Sequence, residues 1–168
     1  MKTGCYWGRF NPPHKGHMKM IKNMLKRVDK LIITVGRGEA KNTKRDPFSA
    51  KERIQMLKSY LKEEGIKNVK IISVTEGKSY HTSVNRLLKA CPNINILFAD
   101  KKTIIDIVGK KIEVGIFKRT GNVSATKLRD NIAYDKKWEN LTGKSVANLI
   151  KKLNGIKRIK KAYGVLRR

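Results

Sequence analysis

Gly8-Arg9-Phe10-Asn11-Pro12-Pro13-His14-Lys15-Gly16-His17 follows at once on an apolar run at residues 3–8. Pro12 and Pro13 fix a turn and suit entry into a helix, because the proline ring already holds a helical φ and its missing N–H is not needed there. His14 and His17 lie three apart, so a helix beginning here carries both imidazoles on one face of its first turn. Gly16 removes a side chain from that surface, which lets a flat base or a ribose approach the backbone. The free N–H groups and positive dipole end of the helix add to the imidazoles, and together they make a cradle for polyphosphate. Two histidines without a third ligand are a thin coordination set, so no protein-held metal site is read here.

Outward from this strand–turn–helix unit, β-branched apolar runs recur at residues 31–36, 69–74, 94–99 and 112–117. Helical patterns occupy residues 14–28, 49–64, 82–90, 103–108, 125–132 and 145–153. Short apolar runs alternating with amphipathic helices imply a parallel sheet buried on both faces. The expected fold class is therefore α/β: one Rossmann-like doubly wound domain over residues 1–168, with a five-stranded parallel sheet and a basic helical tail from about residue 140. Ser49 with Glu52 has capping-box spacing, and Ser124 stands where another helix opens. In such sheets ligands sit beyond the carboxyl ends of the strands, which points to the loops after Gly8, Gly36, Val74, Ala99 and Phe117.

Composition narrows the partners. The chain has 168 residues, 40 Lys plus Arg against 13 Asp plus Glu, and a formal charge of +27. At 39% hydrophobic residues and 4 Pro it can bury a core rather than remain disordered. No apolar stretch is long enough for a membrane helix, and no secretory pattern opens the chain, so a cytoplasmic protein without a membrane partner is expected. Cys5 and Cys91 show neither a CxxC nor a metal-type spacing, which fits a reducing compartment. Lys is spread along every segment rather than gathered into an Arg-reading face. Nucleic acid is thus expected only as a non-specific electrostatic partner, and the aromatic fraction of 7% offers no stacking platform. The last 29 residues hold nine basic residues and no acidic ones.

A second candidate segment is Val123-Ser124-Ala125-Thr126-Lys127-Leu128-Arg129. Ser124 and Thr126 bracket a helix start, where hydroxyls and backbone N–H groups can point at phosphate oxygens, and Arg129 can reach back with its planar fork. Taken alone, the segment also reads as an ordinary cap followed by a surface Arg. Trp138, Tyr6 and Trp7 read as packing aromatics, and Met18, Met20 and Met24 as core filler.

The first segment resembles the HxGH signature of the nucleotidyltransferase superfamily, in the GRFxPxHxGH form of archaeal-type nicotinamide mononucleotide adenylyltransferases. Residues 123–129 resemble that superfamily's SxTxxR motif. Asp46-Pro47-Phe48-Ser49-Ala50-Lys51-Glu52-Arg53 resembles NPFTxxER, and Lys136-Lys137-Trp138-Glu139-Asn140-Leu141 resembles GEKWEHL. The likeness runs from about residue 4 to residue 161.

It implies transfer of AMP from ATP to nicotinamide mononucleotide, giving NAD and pyrophosphate, with Mg2+ entering on ATP. It assigns His14, His17 and Arg129 to catalysis, and Gly8, Arg9, Phe10, Gly16, Arg53, Ser124 and Thr126 to ATP and its phosphates. Tyr80 and His81 stand where the family stacks a Trp on nicotinamide, and are read as acceptor-binding. Asp100-Lys101-Lys102 replaces the family's Gly-Asn-Pro turn. The likeness further implies a homo-oligomer. Three alternatives stay open: a related adenylyl- or cytidylyltransferase with another phosphorylated acceptor, a nucleic-acid-binding protein that uses the +27 charge, and a nucleotide sensor without turnover.

Overall fold

The computed structural model describes residues 1–99, 103–108, 112–117 and 121–166. The chain divides into two compact units, residues 1–9, 19–38 and 68–120, and residues 10–18, 39–67 and 121–168. The strands are β1 (Thr3–Gly8), β2 (Lys30–Val35), β3 (Val69–Ser73), β4 (Ile96–Ala99) and β5 (Glu113–Ile116). Helices among the described residues are α1 (Lys15–Leu25), α2 (Ala50–Glu63), α3 (Tyr80–Ala90), α4 (Thr103–Val108), α5 (Ala125–Ala133), α6 (Lys144–Lys152) and α7 (Gly155–Ala162), with a 3-10 turn at Glu139–Leu141.

All five strands belong to the first unit and form one parallel sheet in the order β3-β2-β1-β4-β5. This is the Rossmann-like α/β arrangement that the apolar runs imply, and its order reverses between β1 and β4. The central strands carry the buried runs, while Lys70 and Ser73 on edge strand β3 and Glu113 and Ile116 on edge strand β5 face water. Strand β4 begins later than its apolar run. Asn95 instead ties the start of β1, its backbone N–H donating to the Thr3 carbonyl and its side chain accepting from the Thr3 N–H, both at 2.8 Å.

One core of this unit joins Cys5, Leu97 and Ala99 of the sheet to Val84 and Leu87 of α3 and to Ile104 and Val108 of α4. Burying each large apolar side chain there contributes about 1.5–3 kcal/mol. Cys5 and Cys91 are free thiols within it, and the Thr34 hydroxyl lies 3.2 Å from one sulfur and 3.9 Å from the other.

The second unit packs α2 on α6, α5 on α7 and α6 on α7. Ser49 and Glu52 close the capping box at the start of α2 as their spacing predicts. Helix α6 opens differently. No side chain of its own caps it, and the carboxylate of Glu63, on α2, accepts the N–H groups of Lys144 and Ser145 at 2.9 and 2.8 Å. An anion from another helix thus satisfies donors that α6 leaves open and complements its dipole. The basic tail resolves into two helices, because Asn154 turns left-handed at φ 53° between α6 and α7. Met18, Met20, Met24, Tyr6 and Trp138 are buried as the reading of them as packing residues requires. Among the described residues no helix is long and apolar enough to cross a membrane.

Two carboxylates in this unit contribute to its acid stability. Burial pushes Glu52 up, yet hydrogen bonds from Arg158 and from the Ser49 N–H outweigh it and hold the carboxyl below its ordinary 4.5. Glu63 is held below that value in the same sense, with slight burial opposed by the Ser145 hydroxyl and the two N–H groups at the start of α6. A depressed carboxyl stabilises the fold above its unfolded pKa and loses that contribution as pH falls through the folded value. The thermal midpoint, followed by circular dichroism, is expected to drop steeply below pH 4.5. Glu52→Gln and Glu63→Gln variants start lower at neutral pH and fall less; parallel curves for variants and parent would contradict this.

Candidate active site

The second unit contains the His14–His17 segment, the 46–53 segment and the whole of α5. His14 directly precedes α1, and its carbonyl accepts the Met18 N–H at 3.2 Å. His17 reaches back, and its Nδ1 accepts the His14 N–H at 3.2 Å. The imidazole takes the place that a Glu fills in a capping box. A ring nitrogen that accepts an N–H carries no proton, so the hydrogen bond assigns the His17 proton to Nε2 and makes that atom a donor. The two imidazoles lie 3.7 Å apart between centroids, on one face of the turn, as the three-residue spacing predicts.

Phe10 sits at φ 50°, an uncommon conformation for a bulky residue, and is fully buried with its ring 4.7 Å from that of His17. The peptide bond between Asn11 and Pro12 is cis. Gly16 has a more specific reason than backbone access. A Cβ there would stand 2.9 Å from His14 Cε1 and 3.3 Å from the Val123 carbonyl, so any side chain pushes the first imidazole out of place.

Asn11 joins the segments. Its buried amide donates to the Phe48 carbonyl at 3.0 Å and to Asp46 Oδ1 at 3.3 Å, and its Oδ1 accepts the Phe48 N–H at 3.1 Å. Its own carbonyl accepts from Arg129 Nη1 at 2.8 Å. Arg129 is 7% exposed, and its Nη2 donates to the Thr126 hydroxyl at 3.3 Å. Ser124 caps α5 by accepting the Lys127 N–H at 3.0 Å. From the stretch following α5, the Thr142 hydroxyl donates to the Pro13 carbonyl at 2.8 Å. Residues 10–17, 46–48 and 124–129 therefore meet, as a shared phosphate site requires.

Arg53, expected as a phosphate clamp, lies fully buried in the first turn of α2 with Nε donating to the Ser49 carbonyl at 3.3 Å. A side chain so enclosed braces that turn rather than offering its fork at the surface.

The remaining candidates belong to the first unit. Gly8 ends β1, its carbonyl accepting the Gly36 N–H at 2.9 Å, and Arg9 follows it half-buried. Tyr80 opens α3, 39% exposed, with its ring 5.7 Å from that of Trp7. His81 is exposed, its Nδ1 3.1 Å from the Asn85 amide. Trp7, read from sequence as a packing residue, is only partly buried and lies beside a candidate acceptor residue. The available signal was its place at the carboxyl end of the first strand. Asn11 and Asp46 also went unassigned, although both stand inside quoted motifs. Asp100-Lys101-Lys102 lies outside the described residues.

Paired imidazoles at one helix start, met by an Arg from a second helix in a chain that also forms a parallel Rossmann-like sheet, are what a nucleotidyltransferase calls for. The profile of the cytidylyltransferase-like family matches residues 5–144. The nicotinamide-nucleotide adenylyltransferase of Pyrobaculum aerophilum is 34% identical over 166 residues, covering 95% of this chain and 93% of that one. The protein of the same name from Pyrococcus furiosus is 31% identical, covering 95% and 88%. The chain belongs to the cytidylyltransferase-like family and, within it, to the nicotinamide-nucleotide adenylyltransferases. In fold it is similar to the bifunctional NMN adenylyltransferase/ADP ribose pyrophosphatase of Francisella tularensis, solved with AMP and a manganese ion, at a TM-score of 0.78 and 21% identity. It covers 96% of this chain and 51% of that one, so the chain spans about half that protein's length.

Replacing Asn11 by Ala strips both backbone groups of Phe48 of their partners in a buried setting. Denaturant unfolding is expected to show a loss of about 2–4 kcal/mol, the range for buried hydrogen-bonding groups left unsatisfied. A loss below about 0.5 kcal/mol, the scale of a neutral surface change, would show that the amide is not the joint described.

Proposed function

We propose that the chain transfers AMP from ATP to nicotinamide mononucleotide, releasing pyrophosphate and forming NAD. The observation that carries the reading is the hydrogen bond from Arg129 to the Asn11 carbonyl, which binds the guanidinium to the loop that leads into His14 and His17. A phosphate oxygen of the acceptor attacks the α-phosphorus of ATP, the bond from that phosphorus to the bridging oxygen breaks, and pyrophosphate departs with the electron pair. The nucleophile is already anionic, so the protein's task is alignment and charge neutralisation.

His17 donates from Nε2 toward the transferring phosphoryl group, with His14 stacked beside it. Arg129, oriented by Asn11 and Thr126, meets the β- and γ-phosphates together with the helix start at Ser124. Gly8, Arg9 and Phe10 shape the approach to the nucleotide. Gly16 keeps His14 in place, and Arg53, at the start of α2, is a further candidate for phosphate binding. Tyr80 and His81 are the residues assigned to the acceptor, and the Trp7 ring lies beside that of Tyr80.

Among the described residues no three His, Cys, Asp or Glu side chains gather into a metal cage. The divalent cation, Mg2+, enters bound to ATP, where it neutralises phosphate charge. A cytoplasmic location and a homo-oligomeric state accord with this role.

Purified protein incubated with ATP, Mg2+ and nicotinamide mononucleotide is expected to yield NAD and pyrophosphate in equal amounts. His17→Ala is expected to lower turnover by about two to four decades, as loss of a preorganised donor does. Absence of NAD would defeat the acceptor assignment, and pyrophosphate release with nicotinate mononucleotide instead would move the assignment to that acceptor. An unchanged rate in the variant would remove His17 from catalysis.

A further inference from the structure

We infer that Arg158, on the terminal helix α7, is a positioning residue that fixes the 42–52 segment and, through it, the Asn11–Arg129 pair. Its kinetic consequence rests on the adenylyl-transfer reading; its structural consequence does not.

The guanidinium meets four oxygen atoms on three residues of that one segment. Nη1 donates to Glu52 Oε1 at 2.6 Å, while Nη2 donates to Glu52 Oε2 at 3.0 Å, the Pro47 carbonyl at 2.6 Å and Asn42 Oδ1 at 3.1 Å. Its central carbon lies 5.2 Å from the centroid of the Phe48 ring. The Arg158 and Glu52 side chains are 24% and 21% exposed, so the pair is sheltered from the screening that weakens surface ion pairs.

A simple brace between helices would bind α2 alone. Here two of the partners, Asn42 and Pro47, precede α2, and the ring beneath the fork belongs to Phe48. That residue's backbone is the one whose N–H and carbonyl are both held by Asn11. A continuous path therefore runs from α7 through Pro47 and Phe48 to Asn11, and from the Asn11 carbonyl to Arg129.

The close approach of α7 is built into its first residue. A Cβ on Gly155 would fall 2.6 Å from Phe48 Cζ, so only glycine lets the helix press on that ring. Tyr163, which caps the end of α7, touches the other arm of the site, its hydroxyl donating to Asp130 Oδ1 at 2.7 Å, while the Lys44 ammonium of the 42–52 segment lies 4.5 Å from its ring. A lysine at 158 could not reproduce the arrangement, because an ammonium is a point charge and lacks the planar fork that serves carboxylate and carbonyl together.

The test compares Arg158→Met and Arg158→Lys with Lys160→Met, which removes another ion pair of α7, that between Lys160 and Asp135. Hydrogen–deuterium exchange of the ligand-free protein is expected to show the Phe48 and His14 amides exchanging about tenfold faster in Arg158→Met, as local opening becomes easier. Amides pairing β1 with β2 keep their rates, Arg158→Lys falls between, and Lys160→Met matches the parent. In steady-state assays kcat/KM for ATP is expected to fall about ten- to a hundredfold in Arg158→Met, as displaced catalytic groups produce, with KM for the acceptor unchanged. Should Arg158→Met fail to fold, Arg158→Lys carries the comparison with a smaller expected effect.

Unchanged exchange at Phe48 and His14 overturns the inference, as does an Arg158→Lys variant equal to the parent in both measurements or an equal loss in Lys160→Met. If the parent transfers no AMP to any acceptor, the functional reading falls while the exchange result still decides the role of Arg158.

Discussion

Asn11 occupies the joint between the imidazole loop, the segment before α2 and the guanidinium of α5. Its side-chain amide satisfies the N–H and carbonyl of one residue, Phe48, as a paired strand would, and its own carbonyl then orients Arg129. Each of these bonds is worth only about 0.5–1.5 kcal/mol net, but leaving any of the buried groups unpaired costs more than the bond contributes. That asymmetry makes the arrangement a constraint on geometry more than a source of stability. It also eases the burial of a guanidinium, because a carbonyl and a hydroxyl oxygen receive part of its fork.

The chemistry asked of the site suits such rigidity. Phosphoryl transfer from a nucleotide to an anionic acceptor needs little covalent help and depends on donors already aimed at developing charge. His17 illustrates how local structure supplies that aim: by closing the first turn of α1 through Nδ1, it fixes both its ring orientation and the atom that carries its proton. The formal charge of +27 acts at longer range, drawing any polyanion toward the surface without selecting among them.

The sheet was legible from sequence because fully buried parallel strands appear as unbroken apolar runs, and all five were found within two residues at either end. The Ser49–Glu52 and Ser124 caps were legible because they are local chemistry with a fixed spacing. What escaped was long-range. The cap of α6 by Glu63 joins residues some eighty positions apart, and the Arg158–Glu52 pair spans 106, so no periodicity or motif announces either. Arg129 was recognisable as a candidate, but its orientation by Asn11 was not, since one backbone carbonyl looks like any other in a sequence. The first tail helix was legible at residues 145–153, whereas α7 received no range of its own, since a short basic stretch after a left-handed asparagine leaves little compositional trace. Arg53 was legible as a phosphate-binding candidate from its motif, but its depth of burial was not.

The central claim is that the imidazole turn and the Asn11-held guanidinium serve one triphosphate. A crystal structure of the protein with a non-hydrolysable ATP analogue tests it most directly. The account predicts phosphate oxygens at hydrogen-bonding distance, about 3 Å, from both His17 Nε2 and the Arg129 guanidinium of the same molecule, with the bond from Arg129 to the Asn11 carbonyl retained. A triphosphate that touches only one of them, or an Arg129 that abandons Asn11 to reach it, would contradict the account.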